Sequence, residues 1–200
     1  MKAMVIAVTG VIGSGKSFVA RELARLMEAE CCDTDVVCRD LLIRNNKGWQ
    51  GVIDTWQDAF LDDEKEIDRV KLREAIFTND EIRKELETIL HPFVRQHVAY
   101  LIERCKISGK NLVVEVPLLF EVGWQCDFDS VVTVYANRSI CLQRIIKRDG
   151  VSLSQAEKSF AAQMDIKEKA KRADYVIDNS GSMENTRVQL VDLFDTLSKS

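Results

Sequence analysis

The sequence has few side chains of the kind that bind transition metals. Its 200 residues include only two histidines, and none of the six cysteines forms a Cys-x-x-Cys pair. Zinc sites need clustered cysteine and histidine ligands, so we do not expect one. An even number of cysteines is compatible with disulfides, but a chain of this size without a secretory signal favours free thiols in a reducing compartment.

Long apolar runs are also absent. No stretch approaches the ~20 apolar residues that cross a bilayer. The first eight residues are mostly apolar, but no cleavage-like site follows them, and a buried first strand explains them better. We therefore predict a cytoplasmic protein that has no membrane partner. The length and the hydrophobic fraction of 46% suit a globular domain that buries a sizeable core.

The chain has no overall excess of positive charge. A net charge of −4 gives no reason to expect a nucleic-acid partner. Residues 138–172, however, contain nine Lys or Arg and only four Asp or Glu. A local positive field on an acidic protein suits a small anionic ligand better than a long polyanion.

Short apolar segments alternate with segments of helical periodicity along most of the chain. We predict strands at 4–9, 30–32, 112–116, 131–135 and 175–177. This alternation predicts an α/β protein whose parallel sheet is covered by helices and binds ligands at the carboxyl ends of its strands. Residues 45–95 have few strand signals and predict a helical insertion, and Pro92 is expected to open a helix over 93–106.

The strongest motif follows the first predicted strand. Residues 10–17 (Gly-Val-Ile-Gly-Ser-Gly-Lys-Ser) match G-x-x-x-x-G-K-[ST] in full and precede a predicted helix. The glycines let the chain curl around an anion, so that backbone N–H groups and the positive end of the helix point at phosphates. Lys16 adds a charge for the β- and γ-phosphates, and the Ser17 hydroxyl is a Mg²⁺ ligand. We predict an ATP-binding loop.

Nucleotide binding alone does not separate a kinase from a GTPase or an ATPase. The Asn-Lys-x-Asp guanine motif is absent, which disfavours a GTPase, whereas Glu115 at a strand end is a candidate water-activating group of an ATPase. Asp33 and Asp35 follow the second predicted strand, where a carboxylate can accept a hydroxyl proton beside the γ-phosphate. Arg39 lies one helical turn after Asp35 and can bind an anionic acceptor. A helix cap explains the two aspartates equally well.

Several strings then occur in a specific order. They are Asp33-Thr34-Asp35 with Arg39, Leu86-Glu87-Thr88-Ile89-Leu90-His91-Pro92 with Arg95, Pro117-Leu118-Leu119-Phe120-Glu121, Gln143-Arg144 with Arg148-Asp149, Gln163, and Ala173-Asp174-Tyr175-Val176-Ile177-Asp178-Asn179-Ser180-Gly181. Together with the phosphate loop, this order resembles the dephospho-CoA kinase family over about 5–181. Val11 and Phe18 depart from the family, which usually has glycine and threonine there, so only the backbone N–H of residue 18 is left to contact a phosphate.

The resemblance implies a P-loop NTPase fold with a parallel five-stranded sheet flanked by helices, a helical substrate-binding insertion and a helical lid. Within one domain, the core would comprise about 1–35, 108–140 and 173–200, the acceptor-binding insertion about 36–107 and the lid about 141–172. It also implies ATP-dependent phosphorylation of dephospho-CoA with Mg²⁺. We expect a monomer or a weak homo-oligomer.

The motif and the resemblance together imply the site residues. Asp35, Lys16 and Arg144 are expected to be catalytic, and Ser17 is the expected metal ligand. The expected ATP contacts are Val11, Ile12, Gly13, Ser14, Gly15, Lys16, Ser17, Phe18, Arg148, Asn179 and Gly181. The expected acceptor contacts are Asp33, Arg39, His91, Arg95, Leu118 and Glu121.

Other interpretations remain open at the level of sequence. Arg144 and Arg148 are four residues apart on a predicted helix and can form a solvated basic face instead of a lid surface. His91 can be a core or helix-start residue instead of an acceptor contact. The rival functions are another small-metabolite or nucleoside monophosphate kinase, and a regulatory protein that uses ATP as a switch.

Overall fold

A computed structural model of the chain describes residues 3–199. The chain forms two compact units. Residues up to Asp33 and from Leu101 onward form the first, which we call the sheet unit, and Thr34–Tyr100 form the second, the helical unit. The sequence placed the insertion at about 36–107, and its role in acceptor binding stays a prediction.

The sheet unit contains a parallel sheet of five strands. They are β1 (Val5–Thr9), β2 (Glu30–Asp33), β3 (Leu112–Glu115), β4 (Ser130–Tyr135) and β5 (Tyr175–Asp178). Their order is β2-β3-β1-β4-β5, so β1 is central and the loop that follows it starts in the middle of the sheet. The predicted α/β fold class is confirmed.

Nine helices occur in the part of the chain that the structure describes. They are α1 (Lys16–Leu26), α2 (Thr34–Leu41), α3 (Lys47–Trp56), α4 (Arg69–Thr78), α5 (Asp80–Ser108), α6 (Arg138–Asp149), α7 (Leu153–Ala161), α8 (Ile166–Arg172) and α9 (Met183–Leu197). Short 3₁₀ turns lie at Gln57–Phe60 and Gln125–Asp127. Over residues 3–199, no helix is both long enough and apolar enough to pass through a membrane.

The core of the sheet unit surrounds the central strand. Every residue of β1 is buried, as expected for a parallel strand covered on both faces. One cluster packs α1 and α9 against the strands and includes Leu23 and Leu190. A second cluster joins Val11, just after β1, to Cys141 in α6 and Ile166 in α8. The phosphate loop is therefore attached to the core directly through one of its own side chains.

The helical unit has a core of its own. Its fully packed members are Val52, Phe60, Ile67, Leu72, Leu86 and Leu90. Trp56 meets Phe60 edge to face, with ring centroids 5.3 Å apart. Trp49 packs beside them and donates from Nε1 to the Lys65 carbonyl at 3.1 Å. These aromatic side chains are core residues of the unit.

The prediction that Pro92 opens a helix is wrong. Pro92 lies inside α5, a single helix of 29 residues. Leu86, Leu90, Val94 and Val98 are all buried, so an apolar stripe continues at helical spacing through the proline. An internal proline costs a helix about 3 kcal/mol. Packing of this stripe outweighs that cost.

Candidate active site

The phosphate loop, residues 10–17, connects the end of β1 to the start of α1. The Ser14 N–H donates to the Val11 carbonyl at 3.1 Å, and the Phe18 N–H donates to the Gly15 carbonyl at 3.0 Å. Gly15 is the residue before α1 and has φ 88°. The first turn of α1 therefore starts directly at the loop, with its positive end there.

Two glycines allow close approaches that side chains would prevent. A Cβ on Gly13 would lie 2.5 Å from the carbonyl oxygen of Cys141 in α6, and a Cβ on Gly15 would overlap the side-chain nitrogen of Asn179. Both glycines also have positive φ, 80° and 88°. Such backbone angles favour glycine. The shape of the loop thus depends on α6 and on the segment after β5.

Glu115, the last residue of β3, joins Lys16 and Ser17. Its carboxylate is almost fully buried and accepts a hydrogen bond from Ser17 Oγ at 2.7 Å, and the same oxygen lies 4.0 Å from Lys16 Nζ. Asp33, the last residue of β2, is its neighbour across the sheet. Sequence reasoning considered Glu115 only as a water-activating group and missed this contact. Its place at the end of a predicted strand was the available signal.

The oxygen atoms of Ser17 and Glu115 match the ligand preference of Mg²⁺. Hydroxyl and carboxylate oxygens are ligands that Mg²⁺ prefers, and Ser17 and Glu115 supply both kinds. No group of three or more His, Cys, Asp or Glu side chains within residues 3–199 could hold a metal on its own. An ion held by Ser17 would take further ligands from phosphate oxygens and water, as is usual for Mg²⁺ in nucleotide sites.

Arg144 in α6 binds the backbone of the loop. Its Nη1 donates to the carbonyls of Gly13 at 3.3 Å and Ser14 at 3.2 Å, and its Nη2 donates to the Asn179 carbonyl at 3.0 Å. The Asn179 side chain donates to the Ser14 carbonyl at 2.7 Å and accepts from Thr186 Oγ1 at 2.9 Å. Arg144 and Asn179 therefore hold the loop from its carbonyl side, while their predicted contacts with ATP stay predictions.

Lys169 in α8 is a buried cation that sequence reasoning missed. Its side chain is fully buried, and Nζ donates to the Pro117 carbonyl at 2.7 Å and to Glu121 Oε2 at 2.8 Å. Burial lowers the pKa of Lys169, and the hydrogen bond to Glu121 opposes that shift. Glu121, an expected acceptor contact, thus serves at least to neutralise this lysine. No local pattern marks a lysine of a basic segment as buried.

Comparisons with known proteins decide the family. A family model described as dephospho-CoA kinase matches residues 4–185. The chain belongs to the dephospho-CoA kinase family. The dephospho-CoA kinase of Desulfotalea psychrophila is 36% identical over 188 residues, which cover 94% of each chain. That of Carboxydothermus hydrogenoformans is 39% identical and covers 94% of this chain and 91% of its own length.

A solved structure of the same family agrees with the fold. Dephospho-CoA kinase from Campylobacter jejuni superposes with a TM-score of 0.70 at 31% identity, covering 98% of this chain and 97% of its own. The predicted resemblance and the predicted P-loop fold are confirmed. Membership of the dephospho-CoA kinase family also makes this chain a kinase rather than a GTPase.

The two departures from the usual dephospho-CoA kinase loop have packing explanations. Val11 is fully buried beside Ala136 and Cys141, where its side chain anchors the loop. Phe18 packs against the core and lies 5.6 Å from the Arg187 guanidinium, measured to its ring centroid. The Phe18 N–H already donates to Gly15, and its expected contact with a phosphate stays a prediction.

The basic segment 138–172 is less positive locally than its composition indicates. Arg138 pairs with Glu157 at 2.9 Å, and Lys171 pairs with Glu168 at 2.7 Å. Arg148 binds the adjacent Asp149, with Nε 2.8 Å from Oδ1. Exposed pairs of this kind add little stability. They nevertheless neutralise part of the positive charge that led us to predict an anionic ligand at this segment.

Two further predicted contacts lie at loop positions of the sheet unit. Leu118 is half-buried between the buried Pro117 and Leu119. Gly181 is exposed and directly precedes Ser182, whose hydroxyl caps α9 by accepting from the Asn185 N–H at 3.2 Å. Their contacts with dephospho-CoA and ATP stay predictions.

The remaining predicted acceptor residues belong to the helical unit. Asp35 and Arg39 are exposed on α2, one turn apart, and His91 and Arg95 are one turn apart on α5. Burial lowers the pKa of His91, and the Glu87 carboxylate opposes this shift. The imidazole is therefore neutral at pH 7. The roles of these side chains in binding and catalysis stay predictions.

Proposed function

We propose that this chain transfers the γ-phosphoryl group of ATP to the ribose 3′-hydroxyl of dephospho-CoA, giving coenzyme A and ADP, in the cytoplasm. The observation that carries the proposal is the phosphate loop with its Lys16, Ser17 and Glu115 cluster in a chain of the dephospho-CoA kinase family. The same cluster supports the use of Mg²⁺.

Phosphoryl transfer needs alignment and charge neutralisation more than covalent help. Lys16 and the backbone amides of the loop other than those of Ile12 and Ser14 bind the β- and γ-phosphates. Ser17 holds Mg²⁺, which when bound supplies positive charge to the phosphate oxygens. Glu115 accepts the Ser17 hydrogen bond and orients the hydroxyl oxygen.

On the acceptor side, Asp35 orients the 3′-hydroxyl and takes its proton as the bond to phosphorus forms. Arg39 on α2 and Arg95 on α5 bind phosphate oxygens of the acceptor. A neutral His91 hydrogen-bonds to the acceptor without adding charge. Asp33, Leu118 and Glu121 complete the proposed acceptor contacts.

On the nucleotide side, Arg144 acts from the lid, and Arg148, Asn179 and Gly181 contribute contacts with ATP. Arg144 already fixes the carbonyls of the loop, so its charge is close to the phosphate-binding backbone. Closure of the lid over about 141–172 would exclude water and limit ATP hydrolysis.

A coupled ADP-release assay tests the function. With ATP and Mg²⁺, dephospho-CoA is expected to stimulate ADP release, whereas AMP, CMP and shikimate are not. A Lys16→Met control is expected to lose about 10²–10³-fold of turnover, the usual effect of removing one donor to developing charge. Stimulation by another acceptor would make the chain a different metabolite kinase. Slow hydrolysis that no acceptor stimulates would favour a regulatory ATP-binding protein.

A further inference from the structure

The connection between α7 and α8 is short and has a helix cap at each end. Ala162 is the C-cap of α7, and its N–H donates to the Lys158 carbonyl at 3.1 Å. Asp165 is the N-cap of α8, and its side chain accepts from the Lys167 N–H at 2.8 Å. Residues 162–165, which we call the strap, therefore have fixed ends, and Gln163 and Met164 lie between the two caps.

Both central residues of the strap form hydrogen bonds with other segments of the sheet unit. The N–H of Ile12 donates to Gln163 Oε1 at 2.7 Å. The N–H of Met164 donates to Glu121 Oε1 at 2.9 Å. The other oxygen of Glu121 accepts from the buried Lys169 at 2.8 Å. The strap is thus fixed on one side to the phosphate loop and on the other to a buried ion pair.

The bond to Gln163 fixes one peptide group of the phosphate loop. The peptide that joins Val11 to Ile12 has its carbonyl bound by the Ser14 N–H at 3.1 Å and its N–H bound by Gln163 at 2.7 Å. A planar peptide held at both ends cannot rotate without breaking one of these bonds. Rotation would change the direction of the Val11 carbonyl oxygen. This would alter the shape of a loop that binds anions through its N–H groups.

We propose that Gln163 is a positioning residue for the nucleotide phosphates. Its side-chain oxygen holds the Val11–Ile12 peptide in the orientation that the phosphate loop needs, and it ties the lid to that loop. The inference rests on the proposed use of a nucleoside triphosphate, but it concerns nucleotide binding and does not depend on which acceptor is used. It adds a second contact between the lid and the phosphate loop, through an uncharged side chain, to the one that Arg144 makes.

Equilibrium binding of ADP, of a non-hydrolysable ATP analogue and of adenosine tests the role of Gln163. Gln163→Met keeps the length of the side chain but removes the acceptor oxygen. Both nucleotides are expected to bind about 3–10-fold more weakly, the effect of one neutral hydrogen bond. Adenosine, which has no phosphate, is expected to bind as in the wild type. If Gln163 had only a structural role, its loss would weaken the binding of adenosine and of the phosphate-containing nucleotides alike.

Gln163→Glu provides a second, independent readout. It keeps an acceptor oxygen but adds a negative charge beside the phosphate loop. The ATP analogue is expected to bind more than about tenfold more weakly, and the loss should shrink as added salt screens the repulsion. If the loss does not depend on salt, the side chain is not close to the bound phosphates and the proposal is overturned.

The matched control is Gln155→Met in the same lid. Gln155 forms the capping box of α7 with Ser152, where its Oε1 accepts from the Ser152 N–H at 2.9 Å. This variant is expected to lower the melting temperature while leaving nucleotide affinity within about twofold, since a lost cap costs about 1 kcal/mol of stability only.

Wild-type-like nucleotide binding by Gln163→Met would overturn the proposal. So would an equal loss for adenosine and ADP together with a drop in melting temperature like that of the control. These results are distinct from failure of the proposed function, in which the wild type itself shows no phosphoryl transfer to dephospho-CoA whatever its nucleotide affinity.

Discussion

The two units of this chain carry their candidate site residues in different ways. In the sheet unit, Ser17, Arg144 and Asn179 each bind another part of the core through hydrogen bonds of 2.7–3.3 Å. In the helical unit, Asp35 and Arg39 are exposed on a helix face. Substitutions at these hydrogen-bonded residues of the sheet unit should therefore change stability and nucleotide affinity together, whereas substitutions at the exposed Asp35 and Arg39 should change turnover with little effect on stability.

Asp35→Asn gives the sharpest test of that difference. We expect turnover to fall about 10²–10⁴-fold, since a positioned base contributes this much to proton transfer. The melting temperature should change little because Asp35 is exposed. Steady-state kinetics and thermal unfolding measure the two effects. Asp40→Asn, an exposed position on the same helix, is the matched control, and full activity of Asp35→Asn would remove it from the proposed role.

Glu121→Gln tests the expected loss of stability in the sheet unit. It leaves Lys169 buried and charged without its partner, so the free energy of unfolding should fall by about 3 kcal/mol. Lys169→Met should cost less, because the Glu121 side chain is 24% exposed and can be hydrated. Urea denaturation at pH 7 measures both variants. Equal stability of Glu121→Gln and the wild type would mean that the pair does not hold the strap.

Arg144→Lys should produce a smaller effect that combines stability and nucleotide affinity. Lysine keeps the charge but cannot reach three backbone carbonyls with a planar fork. We expect KM for ATP to rise about tenfold, within the range for hydrogen bonds from a charged group. Arg138→Lys, which alters an exposed pair with Glu157, is the control. If both variants behave alike, Arg144 belongs to a solvated basic face.

The smallest expected effect concerns His91 and pH. Its pKa in the folded state is below the ordinary value of 6.5 because it is half-buried. As the pH falls below about 6.5, the unfolded chain takes up this proton first, so the wild type loses stability. His91→Asn should therefore show a flatter decline between pH 7.5 and 5.5, measured by urea denaturation. An unchanged slope would contradict the assigned shift.

Much of the fold follows from local sequence because the three inner strands, β3, β1 and β4, are short apolar runs that are buried over most of their length. All five predicted strands are present, each within one or two residues of its predicted ends. The continuous helix α5 could not be predicted, because the buried stripe from Leu86 to Val98 overrides the local preference of Pro92. Tertiary packing decides such cases.

In the candidate site, too, local features could be predicted from the sequence and contacts between distant residues could not. The phosphate loop was predictable because its glycines, lysine and serine are adjacent in sequence. The contacts of Ser17 with Glu115 and of Ile12 with Gln163 join residues 98 and 151 positions apart. No local pattern reveals such pairs. The charge of 138–172 was counted correctly, but its pairing with nearby carboxylates depends on helix packing.

The order of the strands has a consequence for synthesis of the chain on the ribosome. Val5 of the central strand pairs with Leu112, and the other neighbour of β1 begins at Ser130. At about 5–20 residues per second, the first strand waits roughly 5–20 s for its first partner to be made. During that time an apolar segment and the nascent phosphate loop lack their neighbours. Early chains should therefore depend on chaperones, and slowing translation before residue 112 should increase aggregation.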